Sequence, residues 1–393
     1  MSKYTSLLLD GVRRSFPALA GDHVFLDNAA GSQVFGAVVD RIRDFYIHHN
    51  VQLGGMYPAG QKAMELYEEG YEAAARFIGA ERDEIALGAS TTQLLRNIAM
   101  ILKVRPFEEV IVSHTDHEAN LYPWVDLVRE RNVADDVGRM TYGKKSRLRD
   151  PDYANKVVLK TWTPDTTSES CSPTNPKLLA SSLIPLLSKN TRLVCLPHVS
   201  NILGTIHDCE STGWRTRPIA LSTFVPWEWT STLSHETKIG LAGASDELVC
   251  AIPAVVNYLR QQGRWAWIVK HETELQETLL AWLRSREDVT VWGETDGTRA
   301  QDRVATVSFT VRGWRSKDIV RRVAEESGGK VGIWAGSFKS YELTHTVLKL
   351  DPMDGVVRVS MVHYNTVQEI KQLIALLEKI LDQSAQQMPG SKL

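Results

Sequence analysis

Three short stretches combine residue types that could do chemistry. Ala89-Ser90-Thr91-Thr92-Gln93 follows Glu84-Ile85-Ala86-Leu87-Gly88, which reads as a strand, and runs into apolar positions at helical spacing through Met100. A strand, a small hydroxyl-bearing turn and a helix start can hold a phosphate, because helix N-terminal amides and Ser/Thr hydroxyls all donate to an anion. The same pattern also describes a plain Ser/Thr N-cap. His117 lies in His114–Asn120, just after the strand-like run Glu109–Ser113. A His there can stack on a flat aromatic cofactor, or simply cap a turn and face water. Asn201 and Gly204 follow the apolar run Leu193–Leu196, within Pro197-His198-Val199-Ser200-Asn201-Ile202-Leu203-Gly204-Thr205. A polar residue and a Gly turn at a strand's carboxyl end mark the ligand-facing edge of an α/β sheet. Phe25–Ser32 ends a short apolar run in small residues, which let backbone approach a ligand closely or merely turn the chain.

The elements that must position these residues alternate along the chain. Helical spacing covers Val38–His48 and Gln61–Ile78, the latter stopped by Gly79. Asn50–Gly60 is a Gly/Pro-punctuated loop. A helix is expected over 122–129, a polar, turn-rich variable surface hairpin or loop over Val133–Lys177, a helix over Leu178–Leu187 and a strand over Arg192–Leu196. Two amphipathic helices follow, from Asp246 and over Trp265–Glu287. The last part alternates strand Val304–Val311, helix Ser316–Glu326, a strand near Lys330–Trp334, strand Val356–Met361 and helix Val367–Leu381. The expected division is a large domain over 1–250, a small α+β domain over 251–388 and a tail over 389–393.

With 393 residues, 43% hydrophobic and 23% charged, and a net charge of -2, the composition is that of a globular chain with no basic excess pointing to nucleic acid. No apolar run approaches the roughly 18–20 residues that span a bilayer, so no membrane partner is expected. The start, MSKYTSLLLDGVRRSF, lacks the small-residue cleavage site of a secretory signal. Cys171, Cys195, Cys209 and Cys250 are widely spaced, which favours a reducing compartment and no metal site. The chain ends Ser391-Lys392-Leu393 after a polar lead, a tripeptide that the peroxisomal import receptor reads at a C-terminus.

FLDNAAGSQV, STTQLLRN, DHEAN, HVSNILGT and VRVSMVHYNT, in this order, resemble the class V aminotransferase superfamily of pyridoxal 5'-phosphate (PLP) enzymes. The branch resembled is the cysteine-desulfurase-like one, close to fungal enzymes of secondary metabolism. The resemblance spans about 20–210 and 238–385. It implies the α/β PLP-dependent transferase fold type I, with a mostly parallel sheet in the large domain and a small α+β C-terminal domain. It also implies a homodimer, an amino-acid substrate and PLP as cofactor. Ser90, Thr91 and Thr92 would hold the PLP phosphate, His117 would stack on the pyridine ring and Asn201 would bond its phenolic oxygen. Asn28 and Arg358 would bind substrate, Arg358 as a fork on the α-carboxylate. The alternative for Arg358 is a sheet arginine paired to a surface acid. A desulfurase needs a mobile Cys nucleophile, but the corresponding loop reads Gly332-Ile333-Trp334-Ala335-Gly336-Ser337-Phe338-Lys339 and no Cys follows Cys250. Lyase, decarboxylase or transaminase chemistry on an amino acid is therefore expected instead.

Two residues that such chemistry needs are missing. One is an acid for the pyridine nitrogen, which the family carries in a V-D-G strand. The other is a Schiff-base Lys after a D-F…F-S strand. Between Thr205 and Cys250 the only Lys is Lys238, which aligns after the family's Lys and is a catalytic candidate only if it has taken over that role. The stretch 211–237 has neither helical nor strand periodicity. Reading each codon's third base with the next codon's first two, Trp227-Glu228 forces Gly and Trp229-Thr230 forces Asp. Neighbouring positions permit the rest of DGV and GVDF, until His235-Glu236 allows only Arg or a stop. The stretch is therefore read as an out-of-frame segment, with the acid and Lys lost on either side and the central sheet left incomplete. Sequencing the transcript tests this: an in-frame message with a Lys after D-F…F-S would mean an intact enzyme. The rival is a catalytically inactive remnant that binds a partner or regulates an active paralogue.

Overall fold

The computed structural model describes residues 3–141, 156–207 and 245–387. The aberrant stretch 211–237, Lys238, Cys209 and the Ser391-Lys392-Leu393 tail all lie outside them. The described part is α/β, with one parallel and one antiparallel sheet and a short parallel pair.

The parallel sheet has the order β3-β2-β4, from β2 (Glu109–Ser113), β3 (Val158–Trp162) and β4 (Thr191–Cys195). The central strand β2, Glu-Val-Ile-Val-Ser, is buried throughout, as a strand covered on both faces must be. β3 lies where a surface hairpin or loop is expected, but it pairs in parallel with β2 in the sheet. Its Lys160 and Thr161 are half-buried and Val158 and Leu159 are exposed, as on an edge strand, so only the short apolar run Val157–Leu159 marks it. Helices α4 (Thr91–Ile101) and α5 (Tyr122–Thr141) flank this sheet. Their apolar faces join Val110, Val112 and Trp124 in one core.

Beside it, α2 (Gly36–His48) and α3 (Pro58–Ile78) pack against a helix from the far side of the undescribed segment, α7 (Asp246–Leu259); the short α6 spans Ala180–Leu183. Gly70 makes the α3–α7 approach possible: a Cβ there would sit 2.2 Å from the Val249 carbonyl oxygen. The strand expected over Glu84–Gly88 is absent. Arg82–Glu84 forms a 3-10 turn and Ile85–Gly88 is irregular. A strand exists through its ladder, and no described segment pairs with this one.

The antiparallel sheet has the order β5-β6-β9-β8, from β5 (Val289–Trp292), β6 (Thr306–Val311), β8 (Trp334–Gly336) and β9 (Val356–Ser360). Helices α8 (Arg264–Arg284), α9 (Ser316–Glu326) and α10 (Val367–Gln387) cover one face. Leu275, Leu279, Phe309, Val357, Val359 and Ile370 form its core. The single strand expected near Lys330–Trp334 is two: β8, and β7 (Val331–Gly332), which pairs in parallel with β1 (Val24–Phe25). The N-terminal segment is thus built into the C-terminal part. Val12 and Phe16 of α1 (Lys3–Arg14) and its following turn pack on Tyr258 and Tyr364. Among the described residues no helix is long and apolar enough to cross a membrane, and no group of three His, Cys, Asp or Glu is placed to hold a metal.

Candidate functional site

Strand alternation places the first site residue. Val357 and Val359 point into the helix-covered core, so Arg358 points to the other face of β9. There it lies between Ser308 of β6 and Trp334 of β8. The loop after β4 seats itself on this face. Ser308 Oγ donates to the Ile202 carbonyl at 2.6 Å. The Ser200 amide donates to the Thr205 carbonyl at 2.9 Å and the Gly204 amide to the Ser200 carbonyl at 3.0 Å, closing a tight turn with Asn201 at its tip.

Arg358 is 2% exposed. Its Nη2 meets Asp27 Oδ1 at 2.8 Å and its Nη1 donates to the Asn201 carbonyl at 3.2 Å. The Phe338 ring covers the guanidinium, with Cζ 3.7 Å from the ring centroid, a cation–π contact. Nε is buried with no partner. Burial pulls the guanidinium pKa below its ordinary value, and the Asp27 hydrogen bond and charge oppose that. The fork therefore has one edge engaged and one donor unspent. Asp27 reaches it because the N-terminal segment runs parallel to β9, bridging Asp27 to Ser360.

Asn201 is tied on both sides of its amide. Nδ2 donates to the Phe338 carbonyl at 2.9 Å, and Oδ1 accepts from Ser340 Oγ at 2.9 Å. The loop between these anchors also reaches the His117 turn, where the Glu118 amide donates to the Lys339 carbonyl at 2.6 Å. His117 caps a 3-10 turn over Glu118–Asn120. Its Nδ1 accepts from the Ala119 amide at 3.0 Å, which leaves the ring proton on Nε2. Burial lowers its pKa, so the ring is neutral near pH 7. Helix α4, whose first turn carries Thr91 and Thr92, packs against the same turn.

Ser90 is a cap in this structure. Its Oγ accepts from the Gln93 amide at 3.2 Å, and Gln93 Oε1 accepts from the amide of Ala89, the residue before the cap, at 3.2 Å. Thr91 and Thr92 are exposed on the first turn of α4, at the helix end that favours anions. Asn28 is spent within the protein. Its Nδ2 donates to the Phe25 and Ser360 carbonyls at 2.9 and 2.8 Å, and Tyr364 Oη donates to its Oδ1. The structure thus brings Asn201, Arg358 and the His117 turn onto one loop, with Asn28 one residue beyond Asp27. A cavity of about 530 Å³ lies elsewhere, between α3, α4 and α7; Phe77, Leu94, Ile98 and Val255 are among the residues around it. Its lining is apolar apart from Glu84, and it holds none of these groups.

Sequence reasoning passed over Asp27, Asp116, Phe338 and Lys339. Asp27 stood inside a quoted motif, and an acid beside Asn28 was the available signal. Phe338 and Lys339 stood in the loop set against the desulfurase Cys, but their positive φ (49° and 58°) has no signal, since neither is glycine.

Asp116 underlies the His117 turn. Its carboxylate accepts from the His117 amide at 2.8 Å and from Asn120 Nδ2 at 2.7 Å, yet burial pushes its pKa from 3.8 up to about 6. A carboxyl raised in the folded state binds more protons there than in the unfolded chain between these values. Its contribution to stability therefore falls as pH rises through that window and is flat above it, by about 2–3 kcal/mol in all. The stability of the chain minus that of Asp116→Asn, from denaturant unfolding between pH 4 and pH 7, should show this decline. A pH-independent difference would mean that Asp116 is not strained by its burial.

The sequence match to the class V aminotransferases covers residues 24–150 and 247–373. The aminotransferase-like protein FGM3 of Gibberella zeae is 35% identical, over 96% of this chain and 99% of its own. The cysteine desulfurase-like protein ustD of Aspergillus flavus is 29% identical, over 95% and 90%. Among solved structures, the apo cysteine desulfurase from Thermococcus onnurineus NA1 superposes with a TM-score of 0.74 at 18% identity, covering 95% of this chain and 98% of that one. A mutant of C-DES with glycine covalently linked to its PLP cofactor superposes at 0.67 and 13% identity, covering 93% and 98%. The structural likenesses carry the PLP-dependent fold, and the sequence matches carry descent: the chain belongs to the class V aminotransferase family.

Proposed function

We propose that this chain is built to bind PLP and an amino acid and to act on that amino acid by lyase, decarboxylase or transaminase chemistry. The observation that carries this is Arg358, a buried guanidinium with an unspent Nε, held beside Asn201 on the loop that also ties down the His117 turn. Buried arginines of this kind suit a carboxylate. The donor set fits the coenzyme: α4 amides with Thr91 and Thr92 for the phosphate, the neutral His117 ring for the pyridine face, and the Asn201 amide for a ring oxygen. When bound, PLP supplies an electron sink for the bond broken at the amino acid's α-carbon. The chain's part is to orient. Arg358 fixes the carboxylate, and the Phe338 ring keeps water off the guanidinium face. The loop 332–339 has no Cys, which supports this reading over sulfur transfer.

Equilibrium dialysis of the full chain against PLP tests the reading. Saturable uptake of about one PLP per chain is expected, weakened about tenfold in His117→Ala, close to 1.4 kcal/mol. Uptake that does not saturate would count against it.

A second reading, an inactive binding or regulatory remnant, is favoured by the missing acid and Schiff-base Lys. The 433 aligned positions with FGM3 and the 427 with ustD both exceed the 393 residues of this chain, so part of each relative faces gaps in it. That supports lost segments around 211–237. The choice of reaction and of substrate side chain belongs to the same proposal, as do assembly as a homodimer and peroxisomal import through Ser391-Lys392-Leu393.

A further inference from the structure

We propose that Lys339 is the amine through which this chain can hold the coenzyme's aldehyde covalently, an inference that rests on PLP occupying the site just described. Lys339 stands between the two residues assigned to the ring. Its own carbonyl accepts from the Glu118 amide, next to His117, at 2.6 Å, and the preceding carbonyl, Phe338, accepts from Asn201 Nδ2 at 2.9 Å. Ser340, next in the chain, donates to Asn201 Oδ1 at 2.9 Å. Phe338 and Lys339 both adopt left-handed φ, a conformation that costs energy for residues with a Cβ and persists only where neighbours impose it. These ties impose it, and they fix the Lys339 backbone between the His117 turn and Asn201.

The residue is exposed, and among the described residues no carboxylate lies within ion-pair distance of its Nζ. Its charge acts on His117, helping to lower that ring's pKa. A flexible four-carbon stem on a fixed anchor is suited to reach a ligand seated against His117. In the covalent step the neutral Nζ adds to the aldehyde carbon. The nitrogen's two protons leave with the former aldehyde oxygen as one water, and a carbon–nitrogen double bond remains. Nothing is oxidised or reduced. The position is also the end of the loop where a desulfurase would carry its Cys nucleophile, so an amine here changes the chemistry of that loop from sulfur acceptor to carbonyl capture.

The experiment mixes the full chain with equimolar PLP, measures binding by dialysis, then reduces with borohydride and maps the pyridoxyl group by mass spectrometry. About one group per chain, mainly on Lys339, is expected. Lys339→Arg and Lys339→Met should each cut total labelling at least tenfold, with circular dichroism as for the parent. Saturable binding with the label on another lysine, Lys238 included, would overturn the inference and leave the PLP reading standing. So would label spread evenly over surface lysines such as Lys317 and Lys379, or unchanged labelling in both variants. Absence of saturable binding would overturn both.

Discussion

Replacing Arg358 by Leu is expected to weaken amino-acid binding to the PLP-loaded chain by about a hundred- to a thousandfold, while PLP uptake changes less than threefold. The guanidinium still has a donor to give: Nη2 is on Asp27 and Nη1 on the Asn201 carbonyl, but Nε is buried without a partner. Charge-assisted bonds from a fork to a carboxylate, made away from water, are worth about 3–4 kcal/mol, and every 1.4 kcal/mol is a factor of ten. Arg358→Lys keeps the charge and loses the fork, so it should still bind at least tenfold more weakly. Calorimetric titration with L-amino acids reads this out. If Arg358→Leu binds amino acids as the parent does, the arginine serves only as the partner of Asp27, which is the alternative that the sequence left open.

Gly204→Ala should destabilise the chain by about 3–4 kcal/mol and lower its melting temperature by roughly 5–10 °C. Gly204 has φ of +68°, and a Cβ added there would stand 2.3 Å from the Thr306 carbonyl oxygen and 3.1 Å from that of Val304. Those atoms belong to the backbone leading into and starting β6, so they cannot swing aside. The Val304 amide in turn bonds the Gly204 carbonyl at 2.9 Å, and buried Arg303 donates to the Thr306 carbonyl at 2.7 Å. Pushing the turn away would break these bonds and lift Asn201 from Ser340 and Phe338, so PLP uptake should weaken as well. Gly204→Asn separates the causes. Asn tolerates the backbone angle yet carries the same Cβ; if it restores most of the lost stability, the steric contact is not the source.

Much of this protein was legible from local pattern. Helices α2, α3, α4, α8 and α9 follow apolar spacing, and Ser90 announces α4 by its capping chemistry. Strand β2 is readable because Val110-Ile111-Val112 is a β-branched apolar run. The family, its motifs and the candidate residues Ser90–Thr92, His117, Asn201 and Arg358 were equally local, since each stands in a short motif readable by itself. Other features depended on residues far away in sequence. Ile85–Leu87 has the composition of a strand, but pairing comes from a neighbour, and composition cannot supply one. The edge strand β3 was hidden because its apolar start is short and lies inside a polar, turn-rich stretch. What Arg358 touches was settled only when the segment after β1 came to lie along β9 with Asp27, and when the 336–340 loop folded over with Phe338. Side-chain type and spacing decide which chemistry a residue can do. Long-range pairing decides which residues share a site, because hydrogen-bond ladders and packed faces join segments whose separation along the chain carries no record of the contact.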